Sequence, residues 1–504
     1  MTPSEDLAKL ARGGRTNILG FVLRLAARLP FLFIAGRIYG PDIVGRYAIA
    51  VLVIEFAALV ATLGLKRGLA QALSVTDRPE SHVVWDAMVV AFIVSGIAAG
   101  VLIALPEIMF PNSPIGGLDR LLGLAVFATA WSDVSLAALA YRDNVRASVN
   151  ARAIVEPWTI SLAAWGFSYV STRDGLLFAY LLSMSAAFVA SIVPFLRSYG
   201  LPWGWKPRLV ELAALARRNA PLAGADAIEW LTRNIDRFVV GLLFAPAVVG
   251  VYYMAQQVTS VPQKLKTSFD PVLGPGIARS LARGDRPGVA AQVRQVGFWI
   301  MAAQGAMAVA AGVPAEGLMG LVGPEFVAGA GALVILLVGE VAASTGSVCE
   351  AGLVYIARHR NLMISMAMLG VQVALSFVFV LAARALGLPL YWQAAGPALA
   401  LTLTLSLSSI IKARMLSRML GASVSGLRWP FLLAVVVSGL VGAAFTSLPH
   451  QYEWAELSLG IPAILITYSF VIVKWAFGPE DRTLFRKLPN SGPAPRDAEP
   501  IATP

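Results

Sequence analysis

The sequence predicts an all-α, polytopic membrane protein with about fourteen transmembrane helices: two six-helix lobes in parallel pseudo-repeat plus two extra C-terminal helices. Three observations predict this. Of the 504 residues, 57% are hydrophobic and 14% charged, with a mean hydropathy of +0.71, whereas soluble domains carry about a quarter charged residues. Apolar stretches of about 20 residues, the length a helix needs to cross hydrocarbon, recur along the whole chain. The basic residues also cluster between alternate stretches.

In order, the spans are expected at 17–39, 44–65, 85–105, 119–141, 153–171, 175–196, 220–244, 247–270, 289–313, 327–350, 361–383, 391–411, 429–448 and 455–477. The break between the seventh and eighth rests on the turn signal "FAPAVVG". With a cytoplasmic N-terminus and alternating loops, the opposite side holds five basic residues: Arg37, Arg46, Arg120, Arg173 and Arg384. Arg24, Arg28, Arg233 and Arg237 lie within spans. The remaining 31 of the 40 Lys and Arg fall on the cytoplasmic side, as the positive-inside rule requires. A missed span would scramble this alternation, so the split supports the count of fourteen. It also accounts for the net charge of +11 as topology and attraction to anionic inner-leaflet lipid, with no nucleic-acid partner.

Two stretches repeat. Residues 36–53 read "GRIYGPDIVGRYAIAVLV" and residues 241–258 read "GLLFAPAVVGVYYMAQQV". At an offset of 205, Gly36 meets Gly241, Val44 meets Val249, Gly45 meets Gly250 and Tyr47 meets Tyr252, and each short turn carries a proline, Pro41 or Pro246. Arg28 meets Arg233 in the same register. A shared short-turn composition could give some of these identities; the matched arginine weighs against it. The expected organisation is a cytoplasmic tail at 1–16, an N-terminal lobe at 17–198 and a linker at 199–219. A second lobe follows at 220–415, then spans thirteen and fourteen at 416–478 and a Pro-rich, charged, disordered tail at 479–504. Within the linker, "LPWGWKPRLVELAALARRNA" reads as an amphipathic helix on the inner leaflet or as the cytoplasmic extension of span seven. The polar start is too long for a cleaved signal peptide, so span one is read as an uncleaved anchor. Both termini are expected in the cytoplasm.

Charges within spans are costly and mark function. Arg24 and Arg28 share a helix face, about 10 and 16 Å from the cytoplasmic end at 1.5 Å per residue. On span seven, Asp226, Glu229, Arg233 and Arg237 form one stripe at spacings of three and four, with Asp236 interleaved. Glu55 and Asp133 are further acidic candidates within spans. Glu156 precedes a proline and reads as interfacial, and Glu340 and Glu350 read equally as cavity or packing residues. Such a stripe belongs on a cavity between the lobes. Arginine forks suit phosphate or carboxylate and stay charged, so the cavity looks made for an anion. The alternative is that Arg28 and Arg233 pair with Glu55, Glu229 or Asp236 to hold helices together. Cys349 is the only cysteine and the three histidines sit in loops or at span ends, so no disulfide, metal site or cofactor is expected.

At these residues the chain becomes familiar. "GGRTNILGFVLRLAARLPFLFIAGRIYGPDIVGRYAIA", "GLKRGLAQALS" and "NIDRFVVGLLFAPAVVGVYYMA" resemble bacterial polysaccharide-export flippases of the multidrug/oligosaccharidyl-lipid/polysaccharide (MOP) exporter superfamily. The resemblance implies a non-enzymatic transporter of the bacterial inner membrane. Its two lobes would alternate access around a cationic cavity and flip an undecaprenyl-pyrophosphate-linked oligosaccharide for exopolysaccharide or O-antigen synthesis. It implies that Arg24, Arg28, Arg233 and Arg237 hold the pyrophosphate. The acidic residues Glu55, Asp133, Asp226, Glu229 and Asp236 would act as counter-ions, sugar partners or a coupling site. Lipid-linked glycan and membrane lipids are the implied partners, together with a polysaccharide polymerase and a chain-length regulator. The competing readings are a cation-coupled drug antiporter of the same superfamily and a membrane enzyme of polysaccharide assembly.

Overall fold

The computed structural model describes residues 29–265, 270–448, 455–478 and 481. Among them the chain forms fourteen membrane helices in the expected order. Those of the first half are α1 (described over 29–39), α2 (Gly40–Ala61), α3 (Glu80–Ala104), α4 (Ala125–Tyr141), α5 (Glu156–Phe167) and α6 (Gly175–Tyr199). The second half holds α7 (Leu209–Leu243), α8 (Pro246–Leu265), α9 (Arg286–Gly312), α10 (Ala330–Ile356), α11 (Arg358–Ala385) and α12 (Gly396–Leu420). The last pair is α13 (Trp429–Thr446) and α14 (Ile461–Val471), the latter flanked by π-helical turns at Glu456–Gly460 and Ile472–Ala476.

Length and apolar composition alone select nine of the described stretches as membrane-crossing, or ten with the bent pair Arg286–Gly312 and Ala315–Val322. One of the nine, Leu29–Ser74, holds both α1 and α2, which part at Gly40, where φ is +76°. That left-handed value favours glycine at the turn. The remaining three helices, α5, α7 and α8, miss the criterion for stated reasons. α5 has only 12 residues beyond the π turn Asn150–Val155, α7 carries the charged stripe, and α8 is diluted by polar residues, Gln256, Gln257, Thr259 and Ser260 among them.

Of the two readings of the linker, the structure takes the extension of span seven and not the separate amphipathic helix: the stretch is the beginning of α7, one 35-residue helix that runs through Pro221. It continues because its apolar face has somewhere to go: Leu212 is buried in a core cluster of the first half, with Leu215 and Ala216 packed beside it. The fifth span starts as a short helix at Val145–Val149 and a π turn, which puts Arg152 inside the protein.

The halves meet along α2 and α8. Pro41 and Pro246 occupy the same register of the 205-residue offset, and the packing is reciprocal. A Cβ on Gly45 would fall on the carbonyl of Pro246, and one on Gly250 would fall on the carbonyl of Pro41. Small residues at such a crossing let backbones approach where lipid offers no hydrophobic drive to association. The same device joins α10 to α12. Gly339 faces Thr402, and Gly346 faces Ser409, whose hydroxyl accepts the Gly346 N–H at 2.8 Å.

The last two helices attach to the second half. Gly305 of α9 lies under Phe431 and Tyr468, and the Tyr468 hydroxyl donates to the Ala302 carbonyl at 2.8 Å. Beyond α14, Asp481 is buried. It takes hydrogen bonds from Trp299 at 2.8 Å and from Gln295 and pairs with Arg428 at 2.5 Å. Large apolar side chains such as Ile97, Leu162, Leu381, Leu440 and Ile466 are exposed on the outward helix faces, a surface suited to lipid.

Candidate functional site

Two cavities open among the helices, and charged residues line both. The larger, of about 600 Å³, lies where α2 and α4 of the first half face α7 and α8 of the second. Its wall carries Glu55, Lys66, Asp133, Arg152 and Glu156 from the first half, with Trp230, Ser260 and Lys264 from the second. Arg152 is the hub. One guanidinium nitrogen reaches Asp133 at 2.5 Å and another reaches Glu156 at 2.9 Å. Lys66 stands 3.4 Å from the other Asp133 oxygen. The π turn at Asn150–Val155 positions this hub, and Arg152 and Glu156 stack at i, i+4 across it.

The second cavity, of about 450 Å³, lies within the second half, between α7, α10, α11 and α12. Arg233 lines it and donates to Glu340 of α10 at 2.8 Å. Lys412, only 6% exposed, stands 3.4 Å from Glu350 and donates to Ser365 at 3.2 Å. At the mouth, Arg67 bridges the halves: it pairs with Asp226 at 3.1 Å and with Glu229 at 3.0 Å.

The residues expected from sequence fall as follows. Arg24 and Arg28 lie outside the described residues. Glu55 and Asp133 line the larger cavity. Asp226, Glu229, Arg233 and Arg237 follow one another along α7, and Arg67 draws the first two together. Arg237 lines neither cavity: it donates to Gln256 at 2.5 Å and lies over the Tyr253 ring. Asp236 is fully buried against α8, accepting from Tyr252 at 2.6 Å and Gln256 at 2.5 Å. It too is off both cavity walls, because its position turns it to the α8 side of the stripe. Arg233 meets Glu340, a partner outside the expected set of Glu55, Glu229 and Asp236.

Sequence reasoning passed over Arg67, Arg152, Lys66, Lys264 and Lys412, all counted as cytoplasmic charge near helix ends. The signal in the chain was "ARAIVEPW", an i, i+4 Arg–Glu pair inside an apolar run.

The sequence profile described as "Polysaccharide biosynthesis protein" matches residues 34–310, which is more than half of the chain. The chain belongs to that family. The match takes in α2 through α9, and so most of the wall of the larger cavity. Among solved structures, the chain is similar to the lipid II flippase MurJ in an inward closed conformation, at TM-score 0.69 and 12% identity over 94% of this chain and 100% of that one. It is also similar to a multidrug resistance MATE family transporter of the MOP superfamily in an inward-facing conformation. There the TM-score is 0.63 and the identity 15%, over 80% of this chain and 98% of that one. The outward-facing conformation of such a transporter gives 0.55 at 13%, over 84% and 96%. At these identities the likeness shows a shared fold, that of MOP-superfamily transporters. No curated protein sequence matches.

Proposed function

We propose that this protein flips an undecaprenyl-pyrophosphate-linked oligosaccharide across the bacterial inner membrane for exopolysaccharide or O-antigen synthesis. It does so by alternating access, without catalysing a covalent step. The observation that carries the reading is the composition of the larger cavity. Cations from both halves face one space, Lys66 and Arg152 from one side and Lys264 from the other, in a member of a polysaccharide biosynthesis family. Transport by rocking halves needs a ligand group that both halves can hold. A pyrophosphate offers enough oxygens to be shared, and guanidinium takes it bidentately.

Carboxylates hold these cations in place. Asp133 and Glu156 keep Arg152, and Glu340 keeps Arg233. An arriving pyrophosphate competes with those carboxylates for the guanidinium N–H groups, which the ion pairs already hold in the cavity wall. Arg24 and Arg28 belong to the same cationic set in this reading, with Arg233 as their counterpart on the second half. Glu55, Asp226 and Glu229 serve as counter-ions or coupling groups. The six-helix halves at 17–198 and 220–415 are the moving bodies, and both termini face the cytoplasm. A polymerase and a chain-length regulator act on the delivered unit.

The test uses Lys264→Ala and Lys264→Arg, at the second half's cation in the larger cavity. With normal membrane expression, Lys264→Ala is expected to lower surface polymer at least about tenfold, the worth of one charge-assisted hydrogen bond at 1.5–3 kcal/mol. Lipid-linked intermediate should accumulate on the cytoplasmic side, and Lys264→Arg should restore part of the flux. Unchanged polymer with normal expression would sink the assignment. The mixed charge of the larger cavity, with Glu55, Asp133 and Glu156 beside its cations, favours a second reading as a drug antiporter. A variant that keeps polymer output but loses resistance to cationic drugs would select that reading.

A further inference from the structure

At the end of the bundle that holds the α1–α2 and α7–α8 turns, each half places a loop on the first helix of the other. A helix leaves its last four carbonyls without partners inside the helix, and for α7 all four can be followed. Val240 O accepts the Phe244 N–H at 3.0 Å. Gly241 O and Leu242 O accept from the Asn112 side-chain amide at 2.8 and 3.4 Å, and the same amide reaches Phe244 O at 3.1 Å. Leu243 O accepts from Arg384 at 3.1 Å, and the Arg384 guanidinium lies over the Phe244 ring. Arg384 belongs to the same half as α7, whereas Asn112 comes from the α3–α4 loop of the other half.

The repeat partner of this contact is present. The helix Ala315–Val322, between α9 and α10, sits on the end of α1. Arg37 donates to Leu321 O at 3.0 Å, and the Val322 side chain and carbonyl fill the space beside Gly36. Gly36 and Gly241 are the matched glycines of the 205-residue repeat. The α3–α4 loop is itself braced: buried Asp119 accepts from the Gly116 N–H at 2.5 Å and pairs with buried Arg46 of α2.

We infer that Asn112 is a latch: it caps the C-terminus of α7 from across the interface and holds the two halves together at this end while the cavities face the other. Opening this end must withdraw the amide and strip donors from carbonyls at the negative end of the α7 dipole. Arg37 on Leu321 is the matching half of the device. The inference rests on the alternating-access reading above, and the following test separates the two.

The full chain with Cys349→Ser, its one cysteine removed, carries spin labels at Val170→Cys and Leu386→Cys. Both positions are exposed and lie at this end, one on each half. Distances are measured by double electron–electron resonance in lipid nanodiscs without substrate. Asn112→Asp keeps the shape but turns a carboxylate toward three carbonyls, and Asn112→Ala removes the donor. Asn112 is on the surface, so both variants should fold. Each is expected to raise the longer-distance population about tenfold or more, the equivalent of one lost hydrogen-bonded group, with Asn112→Asp the stronger. Distributions identical to the parent in both variants would overturn the latch. If the distances lengthen while no lipid-linked intermediate depends on the protein, the latch stands and the flippase reading falls.

Discussion

Gly45→Ala and Gly250→Ala are each expected to remove most of the folded protein from the membrane. Each added methyl lands on a backbone carbonyl of the opposing helix, Pro246 in one case and Pro41 in the other. A side chain could rotate away, but a carbonyl committed to a helix cannot. The cost lies at or above the upper end of the 1–3 kcal/mol seen for overpacking, and it falls on the crossing that joins the halves. Fluorescence-detected size exclusion after a temperature ramp reads the outcome: a strong fall in monodisperse material and in midpoint temperature for either variant. Gly100→Ala, where the new methyl meets open space, is the control and should behave as the parent. Since the two methyls strike different carbonyls, the double variant should be no better than either single one.

Arg152→Ala is the second large effect. It strands Glu156 and leaves Asp133 only Lys66 at 3.4 Å, in a cavity wall where both carboxylates are mostly buried. Removing one member of a buried ion pair costs about 3–5 kcal/mol, and the partial opening to the cavity places this case at about 3. A lysine at 152 recovers only part, because one ammonium does not span both carboxylates as a fork does. The informative variant is the triple, Arg152→Ala with Asp133→Asn and Glu156→Gln, which removes the stranded charges. It should regain thermal stability while surface polymer stays lost. Recovery of polymer together with stability would make Arg152 a brace and not a ligand group.

These two places mark where the sequence was legible and where it was not. The repeat with matched Gly45, Gly250, Pro41 and Pro246 could be read in advance, but that these two turns pack on each other at the α2–α8 crossing could not. The fourteen helices were legible because the basic residues keep a ledger of sides, and a single misplaced span would have spoiled it. The same rule hid Arg152. Counting every cation near a helix end as cytoplasmic charge sends it to water, and only the π turn before α5 brings it inward. The linker was left between two readings for a related reason. The amphipathic pattern of 209–219 is real, but its apolar face meets the first half in place of lipid. Partners across long separations were not legible: Arg233 meets Glu340 across 107 positions, and nothing in the local pattern of either helix names the other. The spacing put the charges of α7 in a row, but which cavity or neighbour each one meets depended on packing: Glu229 and Arg233 line the cavity within the second half, and Asp236 is tied to Tyr252 and Gln256.

The attachment of α13 and α14 to the second half has a dynamic consequence. Two repeats of equal length do not make two bodies of equal size, because one carries eight helices and the other six. In a viscous, two-dimensional fluid the larger body drags more lipid and turns more slowly. In the alternating-access reading proposed above, the motion is shared unevenly: the six-helix half swings and the eight-helix half serves as the keel. Label pairs that report rotation against a fixed lipid frame would find most of the angular change in α1–α6.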